Sequence, residues 1–407
     1  MNQSSPVSDS TSAPRAWPVL AALALGGFAI GTTEFATMSL LPFFAPDLGV
    51  SEAQASHVIS VYALGVVIGA PLLAVLGARM DRRRLLIALM LLFAAGNALS
   101  AIASGFQSML LFRFLSGVPH GAYFGVAALM AASLVPPNRR AQAMAKVMLG
   151  LTLATIIGVP FANAVGQQFG WRWGFGIVAA CALTTAALIA LFAPSQPARA
   201  GQSPLTELGA LANGRVWLTL SIGAIGFGGL FAVYTYLAST ILQVTLAPPS
   251  AIPAMLAVFG LGMTIGTLVA GWGADKALMP TVGGMLALAA LMLFLFPFAA
   301  HSLWTMAPVV FLIGLTGSFG VPLQARLMDV AGEAQTLAAS LHHSAFNFAN
   351  ALGPWLAGMA VAAGHGFESS GFVGAGLALG GLLMWGVALL SDRRIRGRAA
   401  PPAPAGW

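Results

Sequence analysis

The 407-residue chain has few charged residues: Lys, Arg, Asp and Glu together make up 7% of it, whereas 58% of its residues are hydrophobic. Soluble globular domains carry about 25% charged residues, so this composition excludes an ordinary soluble domain. Cysteine is almost absent as well, because Cys181 is the only one. No disulfide can form within the chain, and cysteine usage says nothing about its redox compartment.

Long apolar runs fill most of the chain instead. A membrane-spanning helix needs about 20 predominantly apolar residues, and such runs recur between short polar breaks. The first run is longer than the 7 to 15 apolar residues of a cleaved signal peptide, so we expect it to be retained. The sequence predicts twelve spans, at 17–43, 54–77, 85–104, 108–135, 141–168, 173–192, 215–244, 251–272, 279–299, 303–330, 336–363 and 371–390.

The basic residues lie predominantly on one side of these spans. With the N-terminus inside, sixteen of the eighteen Lys and Arg residues fall on the cytoplasmic side, Arg172 falls outside and Arg113 lies within a span. By the positive-inside rule, this bias predicts that both termini are cytoplasmic. The net charge of +7 and the pI near 10.5 therefore reflect membrane topology rather than a nucleic-acid partner.

The chain divides into two halves of similar size. Residues 194–214, rich in Pro, Ala, Ser and Gly, are predicted to form a cytoplasmic linker. The linker separates an N-terminal six-helix bundle (17–193) from a C-terminal one (215–391), with cytoplasmic tails at 1–16 and 392–407. "GARMDR" at 77–82 is echoed by "GWGADK" at 271–276, and "GVP" at 158–160 by "GP" at 353–354. Such a repeated unit is typical of transporters whose substrate site lies at the midplane between the halves.

Taken together, these features resemble the major facilitator superfamily, through the twelve spans in two sixes, "GARMDR" after the second span and "RFLSGVPHG" in the fourth. "GTTEF", "YALGVVIGAPLLA" and "GWRWGF" are similar to bacterial drug:proton antiporters, in the group of arabinose-efflux-like and chloramphenicol-efflux-like permeases. The resemblance covers about residues 17–391. It implies an all-α membrane fold of two pseudo-symmetric six-helix bundles and export by alternating access, driven by the proton gradient without a cofactor.

Glu34 is the acidic residue that the span boundaries place well inside the hydrocarbon. An ionised carboxylate there costs about 2.5 to 3.5 kcal/mol on insertion scales, and intramembrane ionisable residues are functional by default. Arg113 is expected at a depth that permits a pair with Glu34, and the resemblance implies that it faces the first span and takes part in proton coupling. The alternative is a static structural pair.

His120 lies seven residues after Arg113, on the same helical face. Its imidazole titrates near neutral pH and could relay protons or bond substrate. A neutral, packed histidine is an equally acceptable interpretation.

The "GARMDR" loop is expected to act as a conformational latch. Gly77 permits close backbone approach, and Asp81 can lie at the positive N-terminus of a neighbouring helix, which the resemblance implies is the eleventh span. Arg82 and the repeat counterpart Asp275 complete the predicted latch. Arg79, Arg84 and Leu85 depart from the family pattern, so arginines that only determine topology are the alternative.

The fifth span carries glycines and a proline at Gly150, Gly158, Pro160 and Gly166. Small residues allow close helix contact and proline bends a helix, so this pattern suits a gate between the halves. It resembles a motif of the exporting members of the superfamily, with the adjacent Gly-Pro replaced by Gly-Val-Pro. Ordinary helix packing by glycine is the alternative.

Seven polar residues are expected to line a central cavity with apolar walls: Asn97, Tyr123, Gln243, Gln324, His343, Asn347 and Asn350. The last three share one face of the eleventh span. An apolar cavity with few polar anchors suits amphiphilic drugs, and a sugar or nucleoside exporter is the alternative. A network of hydrogen bonds between helices would use the same residues.

No cluster of catalytic or metal-binding residues is present, because the adjacent His342 and His343 lack carboxylate companions. An enzyme is therefore not expected, and a receptor or scaffold would have no need of Glu34. We expect a monomer in the inner membrane, whose partners are protons, a small-molecule substrate and the lipid bilayer.

Overall fold

The computed structural model describes residues 16–77, 79–136, 139–197, 212–332 and 335–399. Regular secondary structure within these ranges is helical, and they contain no strand. Most of the predicted linker, nearly all of the N-terminal tail and the last residues of the C-terminal tail lie outside the described residues.

Six helical spans form the first half. They are α1 (Ala16–Ser39), α2 (His57–Gly77), α3 (Arg82–Ala101), α4 (Phe106–Gly117 and His120–Ser133), α5 (Arg140–Leu153, Ala154–Gly158 and Val159–Phe169) and α6 (Arg172–Phe192). Two short helical turns, Leu41–Phe44 and Glu52–Ala55, connect α1 to α2.

The second half repeats this plan. It contains α7 (Gly214–Gly226 and Gly228–Gln243), the long helix Ala251–Ala299 that supplies α8 and α9, α10 (Leu303–Thr316, Gly317–Phe319 and Gly320–Ala331), α11 (Gln335–Ala362) and α12 (Ser370–Ala399).

Twelve spans are confirmed, with one difference in how they are connected. Ten described helices are long and apolar enough to cross a membrane, and one of them, Ala251–Ala299, has 49 residues. Since a span needs about 20 residues, this helix supplies two spans, which meet where Ala277 leaves the helical conformation (φ −159°, ψ 85°). The 28-residue α11 is the twelfth. The sequence predicted a loop at 273–278, but the chain turns there within a single residue.

Local chemistry explains where several helices begin or change pitch. Asp81 caps α3 by accepting a hydrogen bond from the backbone N–H of Arg84 at 3.1 Å, which satisfies one of the free donors at a helix start. In α5, Ala154–Gly158 forms a π-helical turn just before Pro160. Such wide turns are uncommon and are often found at functional sites.

The glycines of α5 pack this helix onto α1, within the first half. A Cβ at Gly150 would lie 1.9 Å from the backbone oxygen of Ala24, so no larger residue fits without a backbone shift. A Cβ at Gly158 would lie 2.3 Å from Thr32 Oγ1, and one at Gly166 would lie 2.6 Å from the Leu40 side chain. In this structure the glycines therefore pack α5 closely onto the first span, and their part in a gate between the halves stays a prediction. Close helix approach of this kind is the usual role of small residues in membrane bundles.

Both the π-helical turn of α5 and the segment after it contact the second half, where Gln167 Nε2 donates to the backbone oxygen of Pro249 at 3.0 Å. A Cβ at Gly260, on α8, would lie 2.6 Å from the backbone oxygen of Thr155. Aromatic side chains extend the contact between the halves: the Phe35 ring on α1 lies 6.1 Å from the Phe231 ring and 5.2 Å from the Tyr234 ring on α7. All three aromatic side chains are buried, so the halves meet through a tightly packed centre.

Candidate functional site

Glu34 lies on α1 at the contact between the two halves. Its side chain is only 3% exposed, and its Oε1 accepts a hydrogen bond of 2.9 Å from Nδ2 of Asn350 on α11. The ion pairs among the described residues involve Asp47 and Asp392 but not Glu34. The direct pair with Arg113 that the sequence permits is therefore absent here, although the two groups interact electrostatically at longer range.

Arg113 is held by neutral groups around it. Its Nη1 donates to Thr33 Oγ1 at 3.2 Å and to Ser116 Oγ at 3.3 Å. The guanidinium carbon lies 4.2 Å from the ring centroid of Tyr62 and 5.4 Å from that of Phe175. Cation–π contacts are strongest for desolvated cations, and this one is 1% exposed. Because Thr33 precedes Glu34 in α1, Arg113 reaches the carboxylate's neighbour rather than the carboxylate.

Tyr62 connects Arg113 to His120. Its hydroxyl is hydrogen-bonded to Nδ1 of His120 at 2.9 Å, while its ring lies under the guanidinium of Arg113. His120 is 3% exposed, so it is part of this buried group, as the sequence predicted from its face of the helix. Tyr62 was missed, although a tyrosine within an apolar run is a signal that could have indicated it.

The face of α11 that the sequence singled out does meet the first half. The ring of His343 stacks nearly parallel to that of Phe124 on α4, with 5.8 Å between centroids, and Asn350 bonds Glu34. Nδ2 of Asn347 donates to the backbone oxygen of His343 at 3.0 Å. The Oδ1 atoms of Asn347 and Asn350 are buried without a hydrogen-bond partner among the described residues. They are free acceptors where the two halves meet.

The other predicted cavity residues lie elsewhere. Asn97 is bonded to Thr33 and to its own helix, and Tyr123 to the backbone oxygen of Leu23, so both belong to the packing network inside the first half. Gln243 is exposed at the end of α7. Gln324 is half-buried on α10. The structure thus brings His343 and Asn350 to the contact between the halves and places these four elsewhere, because helix rotation decides which polar groups face inward; a shared cavity lining stays a prediction.

Asp81 and Arg82 of the predicted latch form hydrogen bonds to the end of their own half. They lie at the arginine-rich end of the bundle, where the loops α2–α3, α4–α5 and α8–α9 lie. Asp81 accepts hydrogen bonds from Ser195 Oγ at 2.7 Å and from the backbone N–H of Gln196, after α6. Arg82 bonds the same Gln196. In this structure the Asp81 carboxylate caps α3 and binds the end of α6, and its placement at the start of α11 stays a prediction.

Hydrogen bonding also sets the charge state of Asp81. Burial acts to raise the pKa of this carboxyl, but the hydrogen bonds from Ser195 and from the backbone N–H groups of Arg84 and Gln196 lower the pKa below its ordinary value. Gly77 abuts the Leu85 side chain, 2.6 Å from where a Cβ would lie. Asp275 is exposed on the α8–α9 helix.

Hydrogen bonds join the two halves at the opposite end. The carboxylate of Glu52, before α2, accepts hydrogen bonds from Ser239 Oγ and from Gln243 Nε2, both on α7. Ser60 Oγ donates to the backbone oxygen of Ala351 at 3.0 Å. Sequence reasoning missed Glu52, because a carboxylate near the edge of a span looks like an ordinary helix-start residue.

A two-fold repeat of six apolar spans, with a buried carboxylate at the contact between the halves, defines a polytopic membrane transporter. The chain belongs to the major facilitator superfamily, whose family model matches residues 23–335. It is therefore a transporter and not an enzyme.

Known relatives agree with this assignment. The chain is 40% identical to the inner membrane transport protein YdhP of Escherichia coli strain K12, over 89% of this chain and 94% of that protein. It is 34% identical to a chloramphenicol resistance protein of Streptomyces lividans, over 94% of this chain and 97% of that protein. The fold matches the crystal structure of a bacterial homologue of the human lysosomal transporter Spinster, with a TM-score of 0.73, 17% identity, and coverage of 96% and 100% of the two chains.

Proposed function

We propose that this protein exports small amphiphilic molecules across the inner membrane in exchange for protons. Glu34 carries the proton, and the two six-helix bundles rock about the central contact. The observation that carries the proposal is the position of Glu34, a buried carboxylate outside any described ion pair, at the contact between the halves. The name of the chloramphenicol resistance relative supports a drug-like substrate.

A carboxylate in this position suits a proton carrier for a physical reason. Burial penalises its charged form, while a hydrogen bond and the distant positive charge of Arg113 favour that form. These opposing effects suit a group that is proposed to gain and lose a proton during the cycle. A carboxylate in a tight ion pair would instead stay charged throughout the cycle.

Arg113, Tyr62 and His120 surround the carrier on the first half. We propose that Arg113 supplies the positive potential that allows Glu34 to release its proton, and that the Tyr62–His120 hydrogen bond provides a polar route beside it. The free acceptors of Asn347 and Asn350 serve as the few polar anchors of the substrate. No cofactor is required, and the transporter functions as a monomer.

The one-sided distribution of Lys and Arg supports an orientation with the arginine-rich end and both termini in the cytoplasm. In the proposed cycle, protonation of Glu34 from the outside favours opening toward the cytoplasm. Binding of substrate from the cytoplasm, after the proton has left, favours the reverse movement.

The test is transport in proteoliposomes with an imposed pH gradient, with chloramphenicol, a cationic dye, a sugar and a nucleoside as candidate substrates. The wild-type protein should accumulate at least one of them and change the internal pH when it is added. Glu34→Gln should reduce this gradient-driven transport to background. Asp329→Asn, which removes an exposed carboxylate on α10, should leave it unchanged.

Two outcomes contradict the proposal. Full gradient-driven transport by Glu34→Gln would remove Glu34 as the proton carrier. Transport by the wild-type protein without any change of internal pH would indicate facilitated diffusion instead. A response to sugars or nucleosides but not to drugs would change the substrate class and leave the mechanism standing.

A further inference from the structure

Asn350 makes the hydrogen bond that Glu34 receives from the other half. Its Nδ2 donates to Glu34 Oε1 at 2.9 Å, between residues 316 positions apart in the chain. Both side chains are buried, and Oδ1 of Asn350 has no described partner. Buried side-chain polar atoms in proteins are in the large majority hydrogen-bonded, so a free oxygen beside a carboxylate that changes protonation state calls for an explanation.

We propose that Asn350 couples the protonation of Glu34 to the movement of the two halves. The inference rests on the proposed function, in which Glu34 carries the proton. When Glu34 is ionised, the amide N–H donates to a charged acceptor, and such charge-assisted bonds are about twice as strong as neutral ones. In this state the bond holds α1 against α11 and keeps the halves in the present arrangement.

Protonation changes the partner that Glu34 requires. The carboxyl group then carries an O–H, which loses free energy if it is buried without an acceptor. An amide offers both a donor and an acceptor, and the free Oδ1 of Asn350 can accept this O–H once the amide turns over. The bond between the halves is then neutral and weaker, so the halves can separate at this point.

This difference provides the step that an exchanger needs. An antiporter must not change conformation when it carries neither proton nor substrate, because that movement would dissipate the gradient. The charged Glu34–Asn350 bond opposes movement of the empty, ionised transporter. Protonation of Glu34, or a substrate inserted between α1 and α11, releases it.

Other titratable groups face the same region and have to be separated from Glu34. Arg113 and Tyr62 interact electrostatically with Glu34, and the Tyr234 ring packs against its neighbour Phe35. His120 reaches the region through Tyr62, and His343 lies on α11. Arginine and tyrosine do not change charge between about pH 5 and pH 8, whereas histidine does. A pH response that disappears in Glu34→Gln is therefore assigned to Glu34.

The chain offers a matched control for Asn350 in Asn163 on α5. Asn163 is equally buried, and its Nδ2 donates to the backbone oxygen of Ser39 on α1 at 2.9 Å. This bond joins α5 to α1 within one half. Oδ1 of Asn163 also accepts a hydrogen bond from Gln167, which donates to the backbone oxygen of Pro249 in the second half. Asn163→Leu thus removes a buried asparagine bonded to α1 while leaving the bond between α1 and α11 in place.

The first test compares two activities in proteoliposomes: substrate exchange without a pH gradient, and accumulation driven by a gradient. Substrate exchange can proceed whether or not the empty transporter changes conformation. Accumulation is possible only if the empty transporter stays in one conformation, because its movement would dissipate the gradient. We expect Asn350→Leu to lower the ratio of accumulation to exchange about tenfold, because the charge-assisted bond to Glu34 is lost; the ratio is used because loss of a substrate anchor would reduce both activities together. Asn163→Leu should keep the wild-type ratio of the two activities. Wild-type accumulation by Asn350→Leu overturns the inference.

The second test measures the conformation directly, and it applies even if Asn350→Leu is inactive. Spin labels at Leu191 and Leu390, exposed residues near the arginine-rich ends of α6 and α12, report the separation of the halves in a Cys181→Ser background. The ratio of the two conformers should change with pH in the wild-type protein. Glu34→Gln, Asn350→Leu and the double variant should all lack this response to the same extent.

The outcomes separate the inference from the function on which it rests. A wild-type pH response that persists in Asn350→Leu overturns the role of Asn350, while the proton-carrier assignment stands. Absence of gradient-driven transport in the wild-type protein contradicts the proposed function itself. An additive effect of Glu34→Gln and Asn350→Leu would show that the two residues act independently and would also overturn the inference.

Discussion

The two ends of the helix bundle are held together in different ways. At the arginine-rich end, the described polar contacts stay within a half: Asp81 binds the end of α6, and Asp392 on α12 pairs with Arg215 and Arg326. At the opposite end and at the centre, hydrogen bonds between described residues cross from one half to the other, at Glu52, Ser60 and Glu34. At the arginine-rich end these contacts stabilise each half separately, and at the opposite end they hold the two halves together.

The difference indicates how the two bundles can move. Separating the halves at the opposite end requires breaking several hydrogen bonds, including one to the carboxylate of Glu52. The hydrogen bonds of Asp81 and Asp392 at the arginine-rich end lie within one half and need not break when the halves separate there. Contacts inside a half should therefore govern stability, whereas contacts between halves should govern the ratio of conformers. The four predictions below test this division, beginning with the largest effect.

Asp392→Ala should destabilise the second half strongly. Asp392 receives hydrogen bonds from Arg215 and Arg326, and the side chains of Asp392 and Arg326 are each only 12% exposed. Removing one partner of a fully buried ion pair costs about 3 to 5 kcal/mol. This half-buried pair should cost less, because solvent partly screens the charges that are left unpaired. Thermal unfolding in detergent should show a clear fall in midpoint, with no change in the conformer ratio. A changed conformer ratio at an unchanged unfolding midpoint would contradict the division between contacts inside a half and contacts between the halves.

Glu52→Ala should change the conformer ratio rather than the thermal stability. It removes two hydrogen bonds from α7 to a carboxylate, and hydrogen bonds to charged groups contribute about 1.5 to 3 kcal/mol when buried. Because Glu52 is half-buried, we expect a shift of about tenfold toward the conformer open at this end. Spin labels at Phe169 and Trp304, exposed residues near this end, measure it. Glu52→Gln, which keeps one acceptor, should shift the ratio less.

Ser60→Ala should have a smaller effect of the same kind. It removes one neutral hydrogen bond to the backbone oxygen of Ala351, and such a bond contributes about 0.5 to 1.5 kcal/mol, so we expect a shift of about threefold. The same pair of labels reports it. If Ser60→Ala shifted the conformer ratio more than Glu52→Ala does, the carboxylate of Glu52 would not be the main contact between the halves at this end.

Asp47→Asn should have the smallest effect, and a pH-dependent one. Hydrogen bonds from Arg172 and from Trp171 lower the pKa of the Asp47 carboxyl, so ionised Asp47 stabilises the fold above the ordinary value of the group. This contribution is lost as the pH falls through the lowered pKa. Exposed ion pairs contribute little. The small difference in thermal stability between the wild-type protein and Asp47→Asn should therefore vanish in acid, whereas a difference that grows in acid would contradict it.

Much of the fold could be predicted from the sequence because hydropathy is a local property. The twelve spans and the isolated carboxylate at Glu34 follow from composition along the chain. The shared face of His343 and Asn350 follows from helical periodicity. The predicted loop at 273–278 was wrong. The chain turns there at a single residue, Ala277, and hydropathy along the chain does not reveal so short a bend.

Partners of the functional residues could not be predicted in the same way. The depth of Arg113 permitted a direct pair with Glu34, but the structure turns its guanidinium toward Thr33 and Tyr62. Asp81 was predicted to lie at the start of α11, and in this structure it binds the end of α6. Small rotations of a helix decide such contacts, and they also differ between the conformers of one protein, so spacing along the chain does not specify them.

The sequence by itself determined a membrane protein of two six-helix halves with one carboxylate deep in the apolar core, because apolar length and charge are encoded locally. Only the tertiary structure decided that this carboxylate bonds Asn350, 316 residues away, and that hydrogen bonds cross the halves at one end of the bundle. Those contacts depend on how distant helices pack and rotate against each other, and that geometry is a property of the whole assembly of helices rather than of any segment.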